Sequence, residues 1–228
     1  MSERLVWRLA AASGMLYVAL GLVHSGGGGG VAFGDSRANI TNWVLGTLGP
    51  RGVNWTGAYT GILGLVCLIV FAAVTAAAIR QREGAQTWLS NVTLGAGLLT
   101  VAVKLTSLPA AFALAYRAHD GFEPQLAAAL TDMNDFSFVL TWPLFGLMIG
   151  AAATGILRYG ALPGWLGWLG VAVAIALFAS VPLAFGQGPF IAFITSSLWV
   201  VLASATMVVR PIPDVQTSPA RDGVLAAG

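Results

Sequence analysis

Six stretches of mostly apolar residues dominate the hydropathy pattern of the chain, and polar residues gather in the intervals between them. A helix needs roughly 20 apolar residues to cross the hydrocarbon of a bilayer, and each stretch is close to that length. The pattern therefore predicts an all-α fold, a polytopic membrane helical bundle. Its six transmembrane helices are expected over about residues 5–23, 57–79, 88–116, 136–157, 164–181 and 190–209.

The intervals predict two short helices and a tail. Residues 35–43 (DSRANITNW) favour a short interfacial helix, with Asp35 or Ser36 as its cap and Trp43 at the headgroups. Pro124 suits the first turn of a second short helix in the interval before residue 136. We expect residues 1–210 to form one transmembrane domain, and residues 211–228, rich in Pro, Ser and Asp, to be a disordered cytoplasmic tail.

Composition narrows the class of protein further. Of 228 residues, 57% are apolar and 9% are charged, whereas a soluble domain carries about 25% charged residues. This excludes a soluble globular protein and a disordered chain, and a net charge of +2 gives no reason to expect a nucleic-acid partner. A single cysteine, Cys67, excludes an intrachain disulfide and a cysteine-based metal site. We expect no metal and no cofactor.

The distribution of arginine predicts the orientation. Cytoplasmic loops of membrane proteins carry an excess of Lys and Arg. The intervals on one side of the predicted helices hold seven arginines and those on the other side hold three. Both termini should therefore face the cytoplasm, in a multi-pass protein of the cell inner (plasma) membrane. The seven are Arg4, Arg8, Arg80, Arg82, Arg158, Arg210 and Arg221; the three are Arg37, Arg51 and Arg117.

Lys104 is the residue that most strongly suggests chemistry. It lies 16 residues after Trp88, about 24 Å along a helix, in the outer half of the hydrocarbon. A lysine at the bilayer centre costs on the order of 3 kcal/mol on insertion scales. The position predicts a polar partner, a water-filled cavity or a ligand. The alternative is that the side chain reaches outward to the headgroups.

Two carboxylates stand close to the predicted start of the fourth transmembrane helix. Asp132 and Asp135 are three positions apart, so they share a helix face, and Asn134 lies between them. Acids at this position stabilise the N-terminus of a helix. Paired carboxylates beside an apolar cavity can also supply a proton donor. Asp135 is the deeper of the two, and we expect it to be the polar partner of Lys104, directly or through water.

Aromatic residues and one histidine extend the candidate site. Phe138, Trp142 and Phe145 recur at helical spacing, and their shared face is either core packing or the wall of a lipophilic pocket. His24 ends the first predicted helix at the same outer level, where it is either a structural hydrogen-bonding residue or part of the site. The predicted ligand-binding residues are Lys104, His24, Asn134, Trp142 and Phe138.

The last third of the chain resembles a known group of proteins. The segments LPGWLGWLGVAVA (162–174) and SSLWVVLASATMVVRP (196–211) are similar to the C-terminal part of a family of actinobacterial membrane proteins of unknown function. The resemblance implies a polytopic membrane protein and no particular activity. In length and in style the chain also resembles small integral-membrane terpene cyclases, which would be expected to hold acids within helices.

The sequence is compatible with three functions. The first is binding or transport of a small lipophilic or anionic molecule in an outward-side pocket between helices, with Lys104 attracting the charge. The second is a membrane-embedded isoprenoid (terpene) cyclase, with Asp135 or Asp132 as the proton donor. The third is a structural accessory subunit of a membrane complex. The expected partners are the lipid bilayer, a lipophilic small molecule, and a second copy of the chain or a membrane complex.

Overall fold

A computed structural model describes residues 3–25, 35–48, 55–120, 123–184 and 188–210. The regular elements within these ranges are all helical. Six of the helices are long and apolar enough to cross a membrane, which confirms the all-α class and the six apolar helices. The predicted tail, 211–228, lies outside the described residues. The helices are α1 (Glu3–Ser25), α2 (Arg37–Trp43), α3 (Trp55–Glu83), α4 (Trp88–Arg117), α5 (Pro124–Tyr159), α6 (Gly164–Ser180) and α7 (Gly188–Val209).

Short turns of other helical types join several of these helices. Val44–Leu48 extends α2 as a π-helical turn. Three 3₁₀ turns follow α3, α4 and α6, over Gly84–Gln86, Ala118–Asp120 and Val181–Leu183. The predicted short helix is confirmed as α2: Ser36 is its N-cap, and the Ser36 hydroxyl accepts a hydrogen bond from the backbone N–H of Asn39 at 3.2 Å.

The fourth apolar helix begins earlier than the pattern predicts. We expect a separate short helix near Pro124 and a transmembrane helix over 136–157, whereas α5 is continuous over Pro124–Tyr159. No glycine or proline stands between Gln125 and Asp135, so nothing in the sequence interrupts the helix that Pro124 begins. Asp132 and Asn134, either of which is predicted to cap the helix, therefore lie within it, as does Asp135. The helix-capping prediction is accordingly wrong.

The six long helices pack in chain order around a closed ring, because α7 returns to pack against α1. A Cβ atom added at Gly64 would meet Tyr17 and Leu20, and one added at Gly14 would meet Phe71, so α1 and α3 run antiparallel. The connections from α3 to α7 are short, so these helices alternate in direction as well. The start of α1 and the end of α7 thus share one end of the bundle, the terminal end. The other end, which α2 covers, is the α2 end.

Trp199 of α7 anchors the centre of the bundle. It is fully buried, and its indole Nε1–H donates a hydrogen bond to the carbonyl oxygen of Leu166 at 3.1 Å. Its ring meets that of Phe71 edge to face at a centroid distance of 6.2 Å. A Cβ atom at Gly170 would lie 2.7 Å from Trp199 Nε1, so only glycine leaves room for the indole there. One side chain thereby joins α3, α6 and α7.

A buried glutamate joins α3 to α4 at the terminal end. The carboxylate of Glu83 accepts hydrogen bonds from the backbone N–H groups of Leu89 (2.7 Å) and Ser90 (3.0 Å). Thr87, the N-cap residue of α4, has a left-handed backbone (φ 36°) and its side chain makes no capping hydrogen bond. Glu83 therefore supplies the acceptors that the first turn of α4 requires.

The α2 end carries a second apolar cluster, which we call the cap layer. Ile40 and Val44, from α2 and the π-helical turn, are buried against the ends of α4 and α5. Trp43 and Leu130 pack against the edge of this cluster. The cap layer covers the end of the α4–α5 pair and so bounds the candidate site described below. Its other members are Leu114, Ala118, Ala127 and Ala128.

Candidate functional site

Lys104 lies at the interface between α4 and α5, the two helices that pack together most extensively. Its side chain is half-buried, and its ammonium donates a hydrogen bond to the amide oxygen Oδ1 of Asn134 at 3.3 Å. An ammonium has three N–H groups. Within the described residues only this one hydrogen bond of the ammonium is present. Lys104 is thus held against α5 and retains N–H groups that could bind an acceptor.

Asn134 connects Lys104 with Asp135. The amide Nδ2 of Asn134 donates a hydrogen bond to Oδ1 of Asp135 at 3.2 Å. The charges of Lys104 and Asp135 also attract each other, although their side chains form no ion pair within 4.0 Å. The amide therefore stands where the sequence predicts a direct contact or a water. Its oxygen end meets a cation and its nitrogen end an anion, which is the orientation that an amide dipole favours.

Phe138 lies one helical turn beyond Asn134, beneath the ammonium. Lys104 Nζ stands 5.6 Å from the centroid of the Phe138 ring, a cation–π contact. The same ring packs edge to face with Trp142, with 5.7 Å between the two centroids. Phe138 thus places Lys104 and Trp142 beside one aromatic ring.

The indole of Trp142 has an unusual feature. The side chain is buried, and within the described residues its Nε1–H has no hydrogen-bond acceptor. Buried polar groups are paired in more than about 90% of cases, because an unpaired one costs roughly 1–3 kcal/mol. Trp199, the other tryptophan buried in the bundle core, does have an acceptor, the carbonyl of Leu166. The contrast makes Trp142 Nε1 a donor that a bound molecule could satisfy.

The surroundings of this cluster differ between its two sides. The cap layer lies in the direction of the α2 end: Leu114 is ten residues, about 15 Å, from Lys104, and Ala127 is about 10 Å from Asn134. The side of the cluster that faces outward from the bundle has different surroundings. Large apolar side chains beside the cluster stay exposed on the outside of the bundle: Leu105, Met133, Phe136 and Leu140.

Lys104, Asn134, Phe138 and Trp142 therefore come together, with Asp135 alongside them. Asp132 is exposed on α5, and its charge still acts on Asp135. Phe145 belongs to the bundle core and meets Tyr17 of α1 edge to face at 6.3 Å. His24 lies in the last turn of α1, and its side chain is outside the described part of the chain.

Two structural features are absent from the predictions, and only the second has a signal in the sequence. Whether the indole of Trp142 finds an acceptor depends on neighbouring helices, and no motif encodes it. The second feature is Glu83, which is not among the predicted site residues. An acid between two apolar helices, six residues before Leu89, is a pattern that can indicate a helix cap. Comparisons with protein-family models, with curated proteins and with solved structures give no significant match to this chain.

Proposed function

We propose that this chain is an integral membrane protein that binds a lipophilic molecule bearing an anionic or oxygen-rich head group. The site is the α4–α5 cluster of Lys104, Asn134, Phe138 and Trp142. The observation that carries the proposal is the Trp142 indole N–H, which has no acceptor among the residues that the structure describes and belongs to a ring packed against Phe138, the ring that also contacts Lys104.

The chemistry of the cluster favours a ligand that accepts hydrogen bonds over one that donates them. Lys104 and Trp142 can only donate hydrogen bonds, and both retain donor capacity within the described residues. A carboxylate, sulfonate or phosphate offers several lone pairs and a charge that complements the ammonium. The apolar body of such a molecule would lie along Phe138 and the exposed apolar side chains beside it.

The position of the cap layer favours entry from the side of the bundle. A water-soluble ligand would have to pass Ile40 and Val44, which are buried against α4 and α5. A lipophilic ligand could instead reach the cluster along the exposed faces of Leu105 and Phe136. Lateral entry from the membrane is therefore part of the proposal.

The orientation of the bundle in the membrane is also part of the proposal. The terminal end carries Arg8, Arg80, Arg82, Arg158 and Arg210, so the positive-inside rule places it in the cytoplasm and the α2 end outside the cell membrane. Reporter fusions after Gly84 and after Glu123 should report opposite sides of the membrane. Reporters on the same side would contradict this topology.

Thermal unfolding in lipid nanodiscs tests the binding function. Decanesulfonate keeps its negative charge at all working pH values, and decan-1-ol has a chain of the same length without a charge. A ligand at 100 times its Kd stabilises the folded state by about 2.7 kcal/mol. We expect decanesulfonate to raise Tm and decan-1-ol to raise it less.

Two variants locate the effect. Lys104→Met keeps the length of the side chain and removes the ammonium, so it should abolish most of the stabilisation by decanesulfonate. Arg117→Met removes an exposed charge from the same helix and should leave the stabilisation intact. Equal Tm shifts in wild type and Lys104→Met would overturn the proposed site.

A further inference from the structure

The Asn134 amide links a cation and an anion that lie on different helices. Its oxygen accepts from Lys104 on α4 at 3.3 Å, and its nitrogen donates to Asp135 on α5 at 3.2 Å. Both charges are half-buried, in a region where charged groups are expensive. Together they are neutral, which makes the pair tolerable there.

Few other charges act on Asp135. Lys104 attracts its negative charge and Asp132 repels it. Among the helices packed against α5, α6 has no charged residue. The remaining charged side chains on its neighbours stand nearer the ends of the bundle: Arg37, Arg117 and Asp120 at the α2 end, and Arg80, Arg82 and Glu83 at the terminal end.

An anion bound at Lys104 would change this balance. The cluster would then hold one ammonium and two negative groups, a net negative charge between two apolar helices. The ligand would then share the attraction of the Lys104 charge, which acts on Asp135 alone in the unbound cluster. A proton on Asp135 restores neutrality, because the ammonium then faces the bound anion and the acid is uncharged.

We propose that binding of an anion at Lys104 is coupled to the uptake of one proton by Asp135. This inference rests on the proposed function and concerns how pH regulates binding at the same site. The carboxylate gains a proton from the solvent when the ligand enters and returns it when the ligand leaves. Asn134 holds the two groups close enough for each to respond to the other. Anion binding is then strongest at low pH.

Calorimetric titration of nanodiscs with decanesulfonate tests the coupling. Titrations at one pH in Bis-Tris and in Tris, two cationic buffers whose ionisation enthalpies differ, give the number of protons taken up with each ligand. The sulfonate binds no proton itself, so the protons counted in excess of those for empty nanodiscs belong to the protein. We expect about one proton per ligand at the pH of maximal coupling, and a Kd that rises by up to about tenfold per pH unit above it.

Two matched variants identify the residue that takes up the proton. Asp135→Asn keeps the size of the side chain and should reduce the uptake to zero, whereas Asp132→Asn, at an exposed position, should leave it unchanged. Binding without proton uptake by wild type would overturn the coupling and leave the binding function standing. Uptake that persists in Asp135→Asn would also overturn it. No binding of decanesulfonate would overturn the proposed function and the coupling together.

Discussion

Lys104 Nζ donates a hydrogen bond to Asn134 Oδ1 across the α4–α5 interface, at 3.3 Å. The contact joins the two helices through polar side-chain atoms. It also fixes the position of the Asn134 amide, whose nitrogen end binds Asp135. The three side chains therefore act as one unit, and a change at one should alter the contribution of the others to stability.

A double-mutant cycle measures that interdependence. Lys104→Met and Asp135→Asn should each lower the free energy of unfolding, by about 1–3 kcal/mol, because each leaves a charged group without its partner. The double mutant should lose less than the sum of the two single losses, by at least about 0.5 kcal/mol. Equilibrium unfolding in detergent supplies the values. Strictly additive losses would mean that Lys104 and Asp135 do not interact through Asn134.

Trp142→Phe separates ligand binding from packing. The variant removes the indole N–H that lacks an acceptor in the described part of the chain and keeps an aromatic ring. We expect the Kd for decanesulfonate to rise by about fivefold or more, since one hydrogen bond contributes roughly 1 kcal/mol. Trp168→Phe, at an exposed position on α6, is the control and should leave the Kd unchanged. An unchanged Kd in Trp142→Phe would remove this indole from the site.

The six apolar helices could be read from the sequence because their length and composition suffice to predict them. Counting residues along the helices places Asp135 at the depth of Lys104, and the sequence predicts Asp135 as the polar partner; the hydrogen bond of Lys104 goes instead to the neighbouring Asn134. That the amide of Asn134 connects the two charges could not be predicted, since it depends on how α4 and α5 are rotated against each other. The continuous helix from Pro124 was missed because a polar segment, TDMND, resembles a loop in composition.

Two glycines of α4 give a matched test of helix packing. A Cβ atom at Gly97 would lie 2.6 Å from Ala72 Cβ and 3.1 Å from Met148 Sδ, whereas one at Gly95 would meet nothing within 4 Å. Gly97→Ala should therefore cost about 1–3 kcal/mol by overpacking the contact of α4 with α3 and α5. Gly95→Ala should be neutral or slightly stabilising. Thermal unfolding of the two variants compares them, and equal Tm values would contradict the close approach at Gly97.

Glu83 gives a test at the terminal end. Glu83→Ala removes both acceptors from the first turn of α4 and should lower the free energy of unfolding by about 1–3 kcal/mol. Glu83→Gln keeps one acceptor oxygen, so its loss should fall between wild type and Glu83→Ala. Unfolding curves of the three proteins check the order. If Glu83→Gln and Glu83→Ala lower the free energy of unfolding equally, one acceptor is not enough to stabilise this end of α4.

The ligand site at Lys104 is decided by the affinity for decanesulfonate of wild type, Lys104→Met and Arg117→Met, measured side by side in nanodiscs. A hydrogen bond to a charged group contributes about 1.5–3 kcal/mol, which corresponds to roughly tenfold or more in Kd. We expect the Kd of Lys104→Met to be at least about tenfold higher than that of wild type and the Kd of Arg117→Met to be unchanged. The same Kd for all three proteins would contradict a ligand site at Lys104.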